Sequence, residues 1–239
     1  MKVLHYKLID STNSTAFKLA DNGAPEWTVV VSDVQTKGHG RSGKCWSSPP
    51  GGLWFSVILR PKIPPAKIGI IQIIAANAVV DAVRKVSKVR VGVKWPNDIL
   101  VRSRKLCGIL VESKLIGNDL DFTIVGIGLN VNQPRKTVPS GAISLFMITG
   151  KKHNLEHILR EAVSALQIKY DLEDMASVRD EWWKNCTHRF KSVSVERADQ
   201  TLEGRSVGID ENGRLLLETR RGNVQELEEG TLHFLTGSQ

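Results

Sequence analysis

The spacing of apolar and polar positions predicts a mixture of strands and helices. Val3 to Leu8 predicts a strand, Val29 to Ser32 a buried strand, and Leu53 to Leu59 a third, ended by Pro61 to Pro65. Between the first two, Asp10-Ser11-Thr12-Asn13-Ser14 is dense in capping side chains and predicts a short helix ending near Gly23. Lys67 to Val86 predicts a long, largely buried helix. Its apolar run from Ile68 to Val80, interrupted by Gln72 and Asn77, is too short to span a bilayer. Val89 to Val93 predicts another strand. Ile99 to Val101 and Leu106 to Val111 predict a hairpin turning at Arg102 to Arg104, and Phe122 to Val131 a further strand. Leu155 to Tyr170 and Val178 to Cys186 predict helices.

The pattern changes near Phe190. Beyond it come only short strands, at Ser192 to Val195, Ser206 to Ile209, Leu215 to Leu217 and Val224 to Leu227, with a hairpin signal at Asn212-Gly213. Strands and helices mix without strict alternation, so the expected class is α+β rather than doubly wound. The expected division is a larger domain over 1–189 and a small barrel-like module over 190–239. No internal repeat interrupts this reading.

The chain has 239 residues and a formal net charge of +8. The charge suits an anionic partner without choosing among nucleotide, nucleic acid and acidic protein. Cys45, Cys107 and Cys186 are odd in number and widely spaced, which argues against a disulfide framework or a paired-cysteine zinc site and for a reducing cytoplasm. Met1 to Tyr6 has no apolar h-region of a signal peptide, and no membrane association is expected.

Chemistry concentrates first in Gln35-Thr36-Lys37-Gly38-His39-Gly40-Arg41-Ser42-Gly43-Lys44-Cys45-Trp46. Glycines let amides approach a ligand, and Lys and Arg add charge, so the loop suits a phosphate ester. The spacing Gly38-x-Gly40-x-x-Gly43 mimics a dinucleotide fingerprint. That reading fails because the loop runs into Ser47-Ser48-Pro49-Pro50-Gly51-Gly52, which cannot open a helix. Lys44 is not in a Walker loop either.

Further clusters follow. Lys94-Trp95-Pro96-Asn97-Asp98 sends a lysine, an amide and a carboxylate off a strand end, and Asp98 suits Mg²⁺ shared with phosphates. Lys105 enters the otherwise apolar strand Leu106-Cys107-Gly108-Ile109-Leu110-Val111, a costly place for a cation without an anion, and Gly108 marks a close approach to the backbone. In Val125 to Asn132, alternation puts Gly126, Gly128, Asn130 and Asn132 on one face and Val125, Ile127, Leu129 and Val131 on the other. A face stripped of side chains suits a ligand lying flat on a sheet. Ser11, Thr12 and Asn13 offer polar contacts, although helix capping alone accounts for them.

Taken together and in this order, the Ser-Thr-Asn segment, the GxGRxGxxW loop, KWPND, KLCGILVE, GIGLNVN and the segment Glu203 to Gly213 resemble the biotin–protein ligases over nearly the whole chain. The resemblance implies a catalytic domain like that of class II aminoacyl-tRNA synthetases, with a mixed sheet, followed by an SH3-like C-terminal module. It implies ATP-dependent activation of biotin to biotinyl-5′-AMP, then transfer to a lysine of a biotin carboxyl carrier protein. By motif position, biotin would meet Ser11, Thr12, Asn13, Gln35, Gly38, Gly108, Gly126 and Gly128. His39, Gly40 and Arg41 would order the loop over carboxylate and phosphate, and Lys105 would bridge the two. Lys94, Asn97 and Asp98 would serve ATP and Mg²⁺, with Trp46 and Asn130 toward the adenylate. Lys105, Arg41, Lys94 and Asp98 are the expected catalytic set. The family commonly has Arg at the place of His39, and a neutral imidazole lacks the guanidinium fork, so weaker retention of the adenylate is expected, more so above about pH 6.5. The resemblance also implies a homodimer through a sheet edge. The chain starts almost at the first catalytic strand, so operator-DNA binding is not expected. A lipoate–protein ligase, a basic nucleic-acid-binding protein and a regulator without turnover remain as rival readings.

Overall fold

The computed structural model describes residues 2–170 and 174–235. Met1 and 236–239, which belong to the expected modules, lie outside the described residues. The larger part is a seven-stranded sheet in the order β1-β2-β3-β7-β6-β5-β4. Its strands are β1 (Lys2–Ile9), β2 (Thr28–Gln35), β3 (Leu53–Leu59), β4 (Gly92–Lys94), β5 (Asp98–Val101), β6 (Arg104–Ile116) and β7 (Asp119–Leu129). Only β1 and β2 pair in parallel, joined by the crossover helix α1 (Thr12–Asp21), so the sheet is mixed and the class is α+β.

The two faces of the sheet have different fates. One face packs on α2 (Gly69–Ser87), α4 (Leu155–Lys169) and α5 (Met175–Lys184) in one continuous core that includes Phe55, Val57, Val125, Ile127 and Leu129. Pro65–Ser87 is long and apolar enough to pass for a membrane span, but α2 lies buried against the sheet. The other face packs on α1 only at its outer end, through Val30, Ile58, Phe122 and Ile124. Its middle, where β3, β7 and β6 carry Ser56, Gly126, Gly128 and Gly108, is left for something else.

Local chemistry sets the boundaries. Ser11 caps α1 by accepting from Ser14 N, and Gly23 turns the chain at φ +82°. The expected strand at Val89 to Val93 shortens to β4, because α2 ends in left-handed Lys88 and Val89 N is still bound to Ser87 Oγ. A short α3 (Leu145–Thr149), capped by Ser144, went unpredicted.

The C-terminal part is a five-stranded antiparallel sheet, ordered β11-β10-β9-β8-β12, from β8 (Ser192–Glu196), β9 (Thr201–Ile209), β10 (Leu215–Glu218), β11 (Val224–Leu227) and β12 (Thr231–Phe234). Asn212-Gly213 makes the expected turn, with Asp210 Oδ1 accepting from Asn212 N and Arg214 N. β12 was not foreseen. The apolar side chains of this sheet, among them Val193, Leu215 and Leu217, belong to the same buried cluster as Trp95 and Val93. The two sheets thus share one main core, with a smaller separate cluster under α1.

Candidate functional site

A cavity of about 730 Å³ lies over the stripped middle of the large sheet. Gly126 and Gly128 form its floor, and the reason they are glycine is visible. A Cβ on Gly126 would run into the Asn13 amide, and one on Gly128 would sit 2.5 Å from the Trp46 ring. At Gly108 it would meet Trp46 Cζ3 at 2.9 Å. The sequence reading of this face fails at its end. Asn130 lines the cavity, but Asn132 lies past the strand and pairs with the backbone of His153, at 2.8 Å in both directions.

The polar wall is α1's first turn. Thr12 donates through N (2.7 Å) and Oγ1 (3.1 Å) to Gln35 Oε1, and Gln35 Nε2 donates to Ser48 Oγ at 2.7 Å. Asn13 Nδ2 donates to Glu112 Oε2 at 2.7 Å, and Ser56 Oγ lies 2.6 Å from Asn13 Oδ1 and 2.8 Å from Thr12 Oγ1. Thr12, Asn13 and Gln35 line the cavity as expected, yet they are already tied together, so a ligand meets a pre-set wall. Ser11 also lines it, but its hydroxyl serves as the helix cap. Ser56 was missed. Its signal was a hydroxyl inside the wholly buried strand Leu53–Leu59, where a polar atom needs partners.

The glycine loop lies over this wall. Left-handed Ser42 (φ 53°) and Gly43 (φ 68°) reverse the chain, and His39 and Cys45 face each other as an antiparallel bridge. Gly40 N donates to Lys44 O at 2.7 Å and Trp46 N to Gly38 O at 2.8 Å. Those two amides therefore close the loop on itself rather than forming the open anion cradle expected, because the antiparallel bridge between His39 and Cys45 turns them toward the facing carbonyls. Gly38 is buried against Trp46, Ser48 and Gln35 and does not line the cavity; it is a packing glycine. His39 and Gly40 do line it, with His39 Nε2 at 3.4 Å from Glu112 Oε2. Cys45 is exposed at the rim.

The cations converge. Lys94 and Asp98 pair across β4 and β5, and Lys105 Nζ stands 2.6 Å from Asp98 Oδ1 and 5.0 Å from the Trp46 ring centroid. The Lys105 backbone is held between Gly141 O and Ile143 N. Burial pulls Lys94 below the ordinary lysine range, with Asp98 opposing this and Lys105 adding to it. Burial likewise lowers Arg41, against the pull of Glu229 and Asp98, and its guanidinium donates to Gly230 O at 3.3 Å. Asn97 is pinned by donation to Ile109 O at 3.0 Å. The C-terminal sheet closes the mouth with Arg197, Glu229 and Gly230, which sequence reasoning missed because their role depends only on how the two sheets meet.

Fold and site define a protein ligase: the chain belongs to the biotin/lipoate A/B protein ligase family, which matches residues 6–130. More narrowly, residues 188–231 match the biotin protein ligase C terminal domain. The bifunctional ligase/repressor BirA of Bacillus subtilis is 34% identical over 228 residues, covering 92% of this chain and 70% of that protein. The biotin–[acetyl-CoA-carboxylase] ligase of Paracoccus denitrificans is 30% identical, covering 89% of this chain and 92% of that one. Among solved structures, biotin protein ligase from Aquifex aeolicus in complex with biotin and ATP superposes with a TM-score of 0.84 at 27% identity, over 98% of this chain and 99% of that chain.

Proposed function

We propose that the chain is an ATP-dependent biotin–protein ligase that activates biotin and transfers it to a lysine of a biotin carboxyl carrier domain, such as that of an acetyl-CoA carboxylase. The observation that carries this is the meeting of Arg41, Lys94 and Lys105 in one cavity over the Gly126–Gly128 floor. In the first step a carboxylate oxygen of biotin attacks the α-phosphorus of ATP, and the bond to the bridging oxygen of pyrophosphate breaks. Two anions must approach, and fixed cations in a partly dry site lower that barrier. Lys105, paired with Asp98 at 2.6 Å, turns to the carboxylate and phosphate. Lys94, whose pKa burial lowers, has its charged form favoured beside phosphate. In the second step the neutral amine of the carrier lysine attacks the acyl carbon, AMP leaves, and the amine proton is lost. Arg41, reaching from the loop to Gly230, holds the loop over the anhydride and keeps water out.

Asp98 fits Mg²⁺ as a single carboxylate that would share the ion with phosphates, the usual manner for this metal. Among the described residues no group of three His, Cys, Asp or Glu forms a cage. Bound there, Mg²⁺ would neutralise charge on the phosphates. We read the large sheet as the class II synthetase type and the small one as SH3-like. We place the protein in the cytoplasm on its three free cysteines. The exposed edge strand β1, with Val3 and Leu8 uncovered, supports a homodimer through a sheet edge.

The test is biotin-dependent exchange between ATP and labelled pyrophosphate, followed by avidin blotting of a carrier domain, with lipoate as a parallel acid. Exchange with biotin and a labelled carrier support the reading. Exchange with lipoate alone moves it to the lipoate side of the family.

A further inference from the structure

The segment from α5 into the small sheet runs beside β4. Val93 N donates to Asn185 O at 2.9 Å, and Thr187 N donates back to Val93 O at 2.8 Å. This sets His188 next to Trp95, the residue between Lys94 and the turn that delivers Asn97 and Asp98. The Trp95 backbone N–H donates to His188 Nε2 at 3.1 Å, and His188 Nδ1 lies 2.8 Å from Ser206 Oγ on β9. A ring nitrogen that accepts an N–H carries no proton. The proton is therefore on Nδ1, donated to Ser206 Oγ, and the ring is neutral. The imidazole is fully buried, with Trp182 and Trp183 edge-on at 6.1 and 6.3 Å between centroids. Burial first, then Lys94 and Lys191, pushes its pKa down to about 3, which agrees with the geometry. The Trp95 indole is held from the same side, donating to Gly213 O at 3.4 Å. His188 does not line the cavity.

We propose that His188 is a positioning residue for the adenylation step. It transmits the placement of the C-terminal sheet, through the Trp95 amide, to Lys94 and Asp98. The inference rests on the ligase reading, because it assigns the Lys94–Asp98 turn to ATP. Through it the C-terminal sheet, which also closes the mouth with Arg197, Glu229 and Gly230, acts on the nucleotide end of the site while leaving the Gly126–Gly128 floor alone.

Three variants separate the possibilities. His188→Phe fills the space without either hydrogen bond. His188→Gln keeps an amide oxygen for the Trp95 N–H. Ser206→Ala removes only the hydroxyl, and carries the test if His188→Phe does not fold. Biotin-dependent ATP–pyrophosphate exchange gives the KM for ATP, and calorimetry without nucleotide gives the Kd for biotin. His188→Phe is expected to raise the KM for ATP by about tenfold while the biotin Kd stays within about twofold. His188→Gln restores most of the loss, and Ser206→Ala shifts the KM for ATP less, in the same direction. In ¹⁵N NMR of the unaltered protein, His188 should show a protonated Nδ1 and a bare Nε2 from about pH 8 to about pH 5, across the range where ordinary imidazoles titrate. An unchanged KM for ATP in folded variants overturns the inference. So does a biotin Kd that worsens as much as the KM, or a proton found on Nε2. If the unaltered protein shows no exchange, the ligase reading falls and this inference with it. Exchange that is present but indifferent to the variants removes only the role of His188.

Discussion

Lys105 and Arg41 each have a partner within the protein, Asp98 for one and Gly230 O for the other, so in the proposed mechanism each exchanges that partner for a substrate anion. Replacing Lys105 with Ala removes the cation 2.6 Å from Asp98 Oδ1 and, in the proposed mechanism, the bridge between the two substrates. Adenylation should fall by about 10²–10³-fold, read as pyrophosphate release, with biotin still bound. Arg41→Ala should act differently. The loop loses its hold on the C-terminal sheet, and the activated acid escapes, so labelling of bystander lysines should rise while pyrophosphate release falls less than for Lys105→Ala. The floor is less forgiving. A methyl at Gly128 meets the Trp46 ring at 2.5 Å, and Trp46 also packs on Gly108 and Lys105, so it has little freedom to move. Gly128→Ala should weaken biotin binding by at least about tenfold in calorimetry and, because Trp46 must shift, lower stability by about 1–3 kcal/mol; unchanged affinity would show that the glycine serves only packing.

At the scale of elements, the segment joining α5 to β8 carries a histidine that is held neutral. Its pKa in the folded chain, about 3, lies below the unfolded value of 6.5. The stability tied to it is therefore fully present above about pH 6.5 and is lost as pH falls toward 3, by at most about 1.4 kcal/mol per pH unit. Urea unfolding between pH 7 and about pH 4.5 should show His188→Gln losing less stability on acidification than the unaltered protein, with Lys94 and Lys191 as the nearby charges. Parallel curves would contradict a buried neutral ring. Elements also mark what the sequence could reveal. Strands such as Leu53–Leu59 and helix α2 declare themselves by sustained apolar runs, and the glycine face of β7 by strict alternation. The alternation stopped being informative at Asn132, because nothing local says where β7 ends and the chain turns to meet His153. α3 and β12 were too short to stand out. Thr12, Gln35, Lys94 and Lys105 were legible because each lies in a motif of unusual composition. Ser56, Glu112 and Gly230 were not, because each takes its meaning from partners more than forty residues away.

Across the whole molecule, the two sheets share one buried cluster, so neither closes its core alone. Calorimetric unfolding should show a single transition with equal calorimetric and van't Hoff enthalpies, despite the two sequence segments matched separately. Two resolved transitions would mean that the junction at Trp95, His188 and Gly213 is weaker than its contacts suggest. The distribution of sulfur has a practical outcome. Cys107 and Cys186 are buried, and burial raises both thiols, Cys186 to about 12, whereas Cys45 sits in the open on the loop. A maleimide dye should therefore attach quickly and stoichiometrically at one position, and biotin with ATP should slow it by folding the loop inward. The chain thus comes with its own labelling handle, at the segment whose movement most needs to be watched.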